Sequence, residues 1–322
     1  MEEIGALIFA RDLDQIKEAL SSRKFKVNDF ISHNRSALAL AAACNYLEVI
    51  NCLLDQGADI DLNNNDDLGY TPLETAAREG QLAAVQLLVE RGASLDKGNT
   101  KASTALIGAC IGAHKDILVY LIEKGAAINH SDNEGQTALH YLCRFAKQWG
   151  SNVITQIIDG VTTILPNPKF QEHTAIFNLL LNHGADPNLL TAYGYTPLHL
   201  ASESDAPIFI KPLVEKGAAV NAQNAKGFAP LHAACDRGNF NACKELIENG
   251  ANVNIVDADG FTPILGATSA QNIKLVKYLL DQGATTTTPA KISYENVKEG
   301  DNALSLAVRL ANEELLALFF KE

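Results

Sequence analysis

The sequence has few of the large side chains around which a globular core is usually built. It contains one Trp and one Met, and aromatic residues make up only 7% of its 322 residues. Apolar residues nevertheless make up 47% of a chain that exceeds the usual size of one compact domain. Small aliphatic side chains must therefore form the core. No apolar run approaches the ~18 residues that a membrane span needs, so we expect no membrane-spanning segment.

Positive charge is also scarce. The chain has 26 Lys and Arg against 38 Asp and Glu, a formal net charge of −12. A general nucleic-acid or anionic-membrane binder needs a basic face, so we expect neither partner. Residues 1–5 are acidic where a secretory signal is basic. The six cysteines include no CxxC pair, which predicts reduced thiols and a cytoplasmic protein.

The strongest signal in the sequence is an internal repeat of about 33 residues. A Gly-Ala pair recurs with steps of 35, 33, 59, 33, 33 and 33 residues, at Gly57, Gly92, Gly125, Gly184, Gly217, Gly250 and Gly283. A second pattern, a small or polar residue followed by Pro or Ala and then Leu or Ile, keeps nearly the same spacing. It begins at Ser36, Thr71, Thr104, Thr137, Thr196, Ala229, Thr262 and Asn302.

Each repeat contains two short helical patterns. In one repeat Thr71 is a suitable N-cap and Pro72 a suitable first helical residue. The second pattern, residues 82–89, has helical period and ends at Gly92, which suits a left-handed C-terminal cap. The spacing therefore predicts a helix, a turn, a second helix and an extended excursion.

These motifs resemble ankyrin repeats, whose Thr-Pro-Leu-His pattern is intact at residues 196–199 and nearly intact at 229–232. The resemblance covers almost the whole chain. It implies a single all-α solenoid of about nine helix-turn-helix repeats joined by β-hairpin-like fingers, each repeat packing on its neighbours. We expect a first capping repeat at 1–33, repeats at 34–146 and 173–299, and a last capping repeat at 300–322.

The recurring His and Cys residues are expected to be structural. His140, His199 and His232 occupy equivalent positions, so stacking spreads them along the array and they cannot converge on one metal site. The resemblance implies that each histidine bonds its own turn and the neighbouring repeat. Cys110, Cys143 and Cys235 share the position of a small packing residue. We predict no enzyme activity and no cofactor.

The positions that the repeat leaves variable are the binding candidates. By the resemblance, partners dock on a concave face built from finger tips and inner-helix ends. In four fingers an aromatic residue directly follows a glycine, at Tyr70, Tyr195, Phe228 and Phe261. This recurrence favours a binding stripe, although packing of these rings on the next finger is an equal alternative. The candidate partner-binding residues are Tyr70, Arg78, Arg144, Phe145, Trp149, Tyr193, Tyr195, Phe228, Arg237 and Phe261.

An insertion of 26 residues interrupts the repeat at about 147–172. Its Val, Ile and Leu residues from Val153 to Leu165 recur at helical spacing, Ser151 or Asn152 suits the start, and residues 166–168 suit the end. We predict an amphipathic helix between the two helices of the fifth repeat. It either covers the array's own side or provides a docking or self-association surface.

The sequence thus predicts a non-enzymatic scaffold that binds another protein, with a monomer favoured. Two alternatives stay open. One is an effector that an intracellular bacterium secretes into a host cytosol, because residues 313–322 are similar to acidic, hydrophobic-ended secretion signals as well as to a capping helix. The other is an enzyme that uses the insertion. The resemblance also implies hydroxylation candidates at Asn129, Asn188, Asn221 and Asn254.

Overall fold

A computed structural model describes residues 2–22, 25–149, 153–158 and 161–320; the side chains of residues 2, 3, 32, 149, 153–158 and 161–166 lie outside that description. The chain divides into two compact units. The first comprises Met1–Leu142 with Pro166–Ala185, and the second comprises Cys143–Leu165 with Asp186–Glu322.

Within the described residues the chain forms nine consecutive helix pairs, which confirms the predicted repeat of inner and outer helices. The pairs are α1 Glu2–Ala10 and α2 Leu13–Ser21, α3 Ala37–Ala43 and α4 Leu47–Asp55, α5 Pro72–Arg78 and α6 Leu82–Glu90, α7 Ala105–Gly112 and α8 Lys115–Glu123, α9 Ala138–Phe145 and α10 Pro168–Asn182, α11 Pro197–Glu203 and α12 Pro207–Glu215, α13 Pro230–Asp236 and α14 Phe240–Glu248, α15 Pro263–Ser269 and α16 Ile273–Asp281, and α17 Ala303–Leu310 and α18 Glu313–Phe319.

The repeated sequence motifs set the helix ends. The Thr71 hydroxyl accepts a hydrogen bond from the Glu74 N–H at 3.1 Å, and Pro72 occupies the first turn of α5, where its missing N–H costs nothing. After the outer helices, the seven Gly-Ala glycines have φ between 83° and 94°. That left-handed conformation favours glycine, so the predicted C-terminal caps are confirmed.

Neighbouring repeats pack inner helix on inner helix and outer helix on outer helix. In the first unit α5 packs between α3 and α7, and in the second α13 packs between α11 and α15. The inner-helix contacts use small, fully buried residues such as Ala76, Ala77, Cys110 and Cys235. Burial raises the pKa of the Cys235 thiol, so it packs as an inert apolar group. The predicted structural role of these cysteines is confirmed.

The insertion lies between α9 and α10, as predicted, but the predicted helix is wrong. A 3₁₀ turn, Ala146–Trp149, follows α9, and two paired strands come next, β1 Val153–Ile158 and β2 Val161–Pro166. Nine of these twelve strand residues are β-branched, which favours extended backbone. The intervening sequence, Asp159-Gly160, is typical of two-residue hairpins.

The end of the insertion also differs from its expected boundary. The sequence predicts that residues 166–168 end a helix, whereas Asn167 caps the start of α10 by accepting from the Phe170 N–H at 3.4 Å. Residues 168–172 therefore belong to the outer helix of the fifth repeat. Ser151 and Asn152, the expected helix start, lie outside the described residues.

The last helix packs as a capping helix would. α18 contacts α16 and α17, Leu315 is fully buried, and Asn312 caps the start by accepting from the Leu315 N–H at 3.1 Å. These contacts support the capping interpretation of residues 313–319. The secretion-signal alternative stays a prediction.

Candidate protein-binding surface

Two buried histidines hold the fingers of the second unit in place. Nδ1 of His199 accepts from the Thr196 N–H at 3.1 Å, and Nδ1 of His232 accepts from the Ala229 N–H at 3.1 Å. Their Nε2 atoms donate to the carbonyl groups of Phe228 (3.0 Å) and Phe261 (3.1 Å) in the following repeat. These bonds require the neutral imidazole, and burial lowers the pKa of His232 accordingly. The predicted structural role of the histidines is confirmed.

Two fingers of the second unit are tight hairpin-like turns that carry Phe228 and Phe261 directly after their glycines. The Asn224 N–H donates to the Phe228 carbonyl at 3.0 Å, and the Asn224 side chain accepts from the Phe228 N–H at 3.0 Å. Asp257 makes the same two bonds with Phe261, at 3.0 and 2.7 Å. The ring that follows the finger glycine is therefore carried on backbone that is fixed on both sides.

Tyr195 and Phe228 lie together, as the predicted stripe requires. Their ring centroids are 6.3 Å apart and nearly perpendicular, and the Phe228 ring also stacks on His232 at 5.4 Å. Both rings are half-buried, so each packs on framework atoms and still offers a surface. Tyr193, at the tip of the same finger as Tyr195, is 69% exposed. The packing of these rings is therefore observed, and their role in partner binding stays a prediction.

Phe261 has a partner that the sequence pattern did not indicate. Tyr294 lies 6.0 Å from it with a nearly perpendicular ring and is 59% exposed. Tyr294 belongs to the lengthened last finger, outside the repeat spacing, and its aromatic character was its only signal. We define the aromatic face as Tyr193, Tyr195, Phe228, Phe261 and Tyr294.

The aromatic face is bordered by acidic groups. Partial burial and the neighbouring carboxylates of Asp257 and Glu295 raise the pKa of Asp236 to about 6. Asp236 is the last residue of α13, the helix that presents His232, and its side chain lies against Gly266 of the next inner helix. The apolar rings thus lie beside a surface of negative charge.

The remaining candidates fall into two groups. In the first unit the Arg78 guanidinium lies over the Tyr70 ring, 5.3 Å from its centroid, and both are half-buried. In the second unit Arg144 and Arg237 line one cavity of about 420 Å³. Phe145 is half-buried at the end of α9, while the Trp149 side chain lies outside the described residues.

Comparison with known families agrees with this geometry. The family model described as ankyrin repeats, in three copies, matches residues 6–99, 94–162, 204–290 and 231–322. The chain belongs to the ankyrin repeat family. Ankyrin repeats are generally protein–protein interaction modules.

Several curated relatives contain similar repeats. The chain is 25% identical over 193 residues to the putative ankyrin repeat protein YahD of Escherichia coli, covering 60% of this chain and 84% of that protein. It is 35% identical over 108 residues to a transient receptor potential cation channel subfamily A member 1 homolog of Caenorhabditis elegans, covering 34% of this chain and 9% of the channel.

A third relative carries an enzyme name. The chain is 24% identical over 226 residues to the NAD-dependent deacetylase sir2B of Dictyostelium discoideum, covering 60% of this chain and 26% of the deacetylase. The chain therefore spans only a small part of the length of the channel and of the deacetylase. These matches show shared ankyrin repeats.

No helix in the described part of the chain is long and apolar enough to cross a membrane. No group of three or more His, Cys, Asp or Glu side chains is placed to hold a metal ion, again among the residues that the structure describes.

The four asparagines proposed for hydroxylation bridge successive ankyrin repeats. The Asn221 side chain donates to the Gly250 carbonyl at 3.3 Å and accepts from the Asn252 N–H at 2.8 Å. Asn188 and Asn254 make the equivalent pairs of bonds, and Asn129 donates to the Gly184 carbonyl. Their common position thus has a structural reason, while their modification stays a prediction.

Replacement of Asn221 by alanine is expected to destabilise the second unit by about 1–2 kcal/mol, because two bonds between repeats are lost. Urea unfolding would measure the change. Asn241→Ala, an exposed position on α14, is the control, with an expected change below about 0.5 kcal/mol. Equal effects of the two substitutions would contradict the bridging role.

Glu74 is a buried carboxylic acid that the repeat spacing does not predict. It occupies the histidine position of its Thr-Pro-Leu-His motif and is fully buried. Its Oε1 accepts from the Asn99 Nδ2 at 3.0 Å, whereas its Oε2 has no hydrogen-bond partner in the described residues. Burial raises the pKa of the carboxyl to about 8, so it is largely protonated at neutral pH. The protonated carboxyl of Glu74 thus occupies the position that a neutral imidazole holds in the motifs of His199 and His232.

Proposed function

We propose that this chain is a non-catalytic scaffold that captures a partner protein on the aromatic face of its second unit. The Tyr195–Phe228 ring pair carries the proposal. Both rings are half-buried, and the buried His199 and His232 hold the backbone of the next finger. Anchors that are already fixed lose little side-chain entropy on binding, and aromatic residues are frequent hot spots of protein interfaces.

The partner's matching surface is expected to combine apolar side chains with positive charge. Tyr193 and Tyr294 add exposed ring area on either side of the central pair. Asp236, Asp257 and Glu295 lie close enough to one another to raise the pKa of Asp236, and this charge favours basic residues opposite them. Such a surface suits a protein, because a nucleic-acid backbone would be repelled.

The double substitution Tyr195→Ala with Phe228→Ala tests this proposal. Loss of two hot-spot rings is expected to weaken partner binding at least about 30-fold, at about 2 kcal/mol or more for the pair. Affinity capture from cytosolic extracts with the wild-type chain would identify the partner. Titration with the purified partner would then give the affinity of each variant.

A second aromatic pair provides a matched control. Phe240 and Tyr278, on the outer helices α14 and α16, also form a half-buried edge-to-face pair, with ring centroids 5.4 Å apart and planes inclined by 62°. Phe240→Ala with Tyr278→Ala removes similar rings from outside the aromatic face and should leave binding within about twofold of wild type. Retained binding by the folded Tyr195/Phe228 variant, or equal loss by both variants, would contradict the proposal.

A further inference from the structure

One side of the last helix pair is apolar and stays exposed. α17 packs on α15 and α18 packs on α16, and the side that makes these contacts buries Leu306, Ala307 and Leu315 completely. The opposite side corresponds to the one on which a following repeat stacks elsewhere in the array. Its apolar residues, which we define as the end face, are Leu304, Val308, Leu316 and Phe319.

Val308 occupies a position that is buried in the earlier repeats. It is the seventh residue of the repeated motif that begins at Asn302, and it is 55% exposed. Leu304, the third residue of that motif, is partly exposed, whereas its equivalents from Leu38 to Ile264 are at most 1% exposed. The end face thus has the composition of a contact between repeats. The equivalents of Val308, all completely buried, are Ala42, Ala77, Cys110, Cys143, Ser202, Cys235 and Thr268.

The outer helix contributes to the end face in the same way. Leu316 and Phe319 are the fourth and seventh residues after the cap Asn312, and both are partly exposed. In α16 the same positions hold Val276 and Leu279, which are completely buried. Both helices of the last repeat therefore expose side chains of the kind that hold repeats together elsewhere in this chain.

The first repeat differs, because its outer helix carries polar groups on the corresponding free side. Gln15 is the third residue after the cap Asp12, a position that is completely buried in later outer helices, as at Leu275 and Leu315. Gln15 is exposed, and its Nε2 donates to the Asp12 Oδ2 at 2.7 Å. Stacking this repeat on the end face of another copy would bury an amide and a carboxylate against apolar side chains, which costs free energy. Head-to-tail association is therefore disfavoured.

We propose that the end face binds the end face of a second copy of this chain, so that two copies form a two-fold symmetric dimer. Two-fold symmetry places the same patch against itself, and apolar side chains then meet apolar side chains. This dimer differs from the monomer that the sequence favours. It does not depend on the proposed function, because the aromatic face takes no part in it.

The size of the end face sets the expected strength of the dimer. At 1.5 Å per residue and about 10 Å across each helix, α17 and α18 present a face of roughly 250 Å² in projection. A contact of that size is at the low end for specific interfaces, in which each partner usually buries about 800 Å² of accessible surface. We therefore expect a weak dimer, with a dissociation constant on the order of 10–100 μM.

Sedimentation equilibrium of the full chain between about 1 and 300 μM tests the dimer directly, because this range brackets the expected dissociation constant. The average mass is expected to rise from that of one chain towards that of two and to stop there. A mass of one chain at every concentration would overturn the proposal. A mass that passes two chains would also overturn it, because head-to-tail contacts do not close at two copies.

Matched substitutions locate the contact. Val308→Glu is expected to weaken dimerisation at least about 10-fold, because a carboxylate from each copy enters an apolar contact. Ile208→Glu adds the same charge at another exposed aliphatic residue, 42% exposed on α12, and should stay within about twofold of wild type. Because both positions are exposed, both variants should unfold in urea at the wild-type midpoint. Equal dissociation constants for the two variants would overturn the assignment to the end face.

Two further measurements separate this dimer from other modes of association. Gln15→Lys places a charge on the free side of the first repeat and should leave dimerisation within about twofold of wild type; loss of association would assign the contact to head-to-tail stacking and overturn the proposal. Each copy has a net charge of −12, so repulsion opposes association and salt screens it. Dimerisation should therefore strengthen between about 50 and 500 mM NaCl. A weaker dimer at high salt would assign the contact to ion pairs and overturn the apolar end face.

Discussion

Glu74→Gln is expected to make the protein more stable than wild type at alkaline pH, by on the order of 4 kcal/mol, and about equally stable near pH 5. The carboxyl has an ordinary pKa of 4.5 when exposed and a native pKa of about 8, because it is buried. Between these values the native state retains a proton that the unfolded state releases. Each unit of pKa difference corresponds to about 1.4 kcal/mol, which sets the expected size.

The direction follows from this proton balance. A raised native pKa contributes stability that is complete below pH 4.5 and is lost as the pH rises through about 8. Glutamine has nearly the shape of the protonated acid, keeps an oxygen for the Asn99 amide and does not titrate. The wild-type chain should therefore lose stability over this interval and the variant should not.

Urea unfolding at about pH 5, 7 and 9 would measure the difference between the two proteins. Glu79→Gln, at an exposed position just after the same helix, is the control and should change stability by less than about 0.5 kcal/mol at each pH. Parallel pH profiles for wild type and Glu74→Gln would show that the Glu74 carboxyl is ionised in the native protein, contrary to this prediction.

His232→Ala is expected to destabilise the second unit by about 3 kcal/mol. The substitution leaves the Ala229 N–H and the Phe261 carbonyl without their imidazole partner and opens a cavity where a buried ring was packed. It also frees the finger that carries Phe261, so partner binding should weaken as well. Urea unfolding above pH 7, where the imidazole is neutral, would measure the loss.

The same histidine gives a pH dependence of opposite sign. Because burial lowers the pKa of His232 from its ordinary 6.5, its contribution is complete above that value and is lost as the pH falls through the lower native pKa. His183→Ala, at an exposed position, should change stability by less than about 0.5 kcal/mol. A loss below about 1 kcal/mol for His232→Ala would show that the finger does not depend on this ring.

The repeated part of the fold could be predicted because each repeat carries its own local signals. Thr71 and Pro72 start a helix by capping and backbone geometry, and Gly92 follows the second helix with a left-handed backbone. Equivalent caps and glycines recur along the chain, so a helix boundary that is misplaced in one repeat is corrected by comparison with the other repeats. The histidine and cysteine roles followed from their position in the same pattern.

The insertion lacked that redundancy, and its conformation was predicted wrongly. Isoleucine and valine between positions 153 and 165 satisfy helical spacing, but their β-branched side chains and the Asp159-Gly160 pair favour the hairpin found for β1 and β2. Spacing alone cannot separate the two in so short a segment. The strand propensity of the β-branched residues and the turn propensity of Asp159-Gly160 were the informative signals.

The candidate surface was predictable only where it followed the repeat. Tyr195, Phe228 and Phe261 share one position, whereas Tyr294 reaches Phe261 from a finger of unusual length. The sequence places Arg144 and Arg237 at inner-helix ends, but only the folded chain shows that they line one cavity with Lys147. Contacts of this kind depend on loop paths that no local pattern specifies.

The asparagine bridges also govern how this array can change in length. In the second unit each bridge joins residues 29 or 31 positions apart, so it reaches only the adjacent repeat. A duplicated 33-residue segment would find all of its bonding partners. The bond from Asn129 to Gly184 spans 55 residues because the insertion falls inside it, and it still forms. Gene duplication can therefore add whole repeats, and the helix-to-helix turn can absorb foreign segments, without breaking the bonds that hold repeats together.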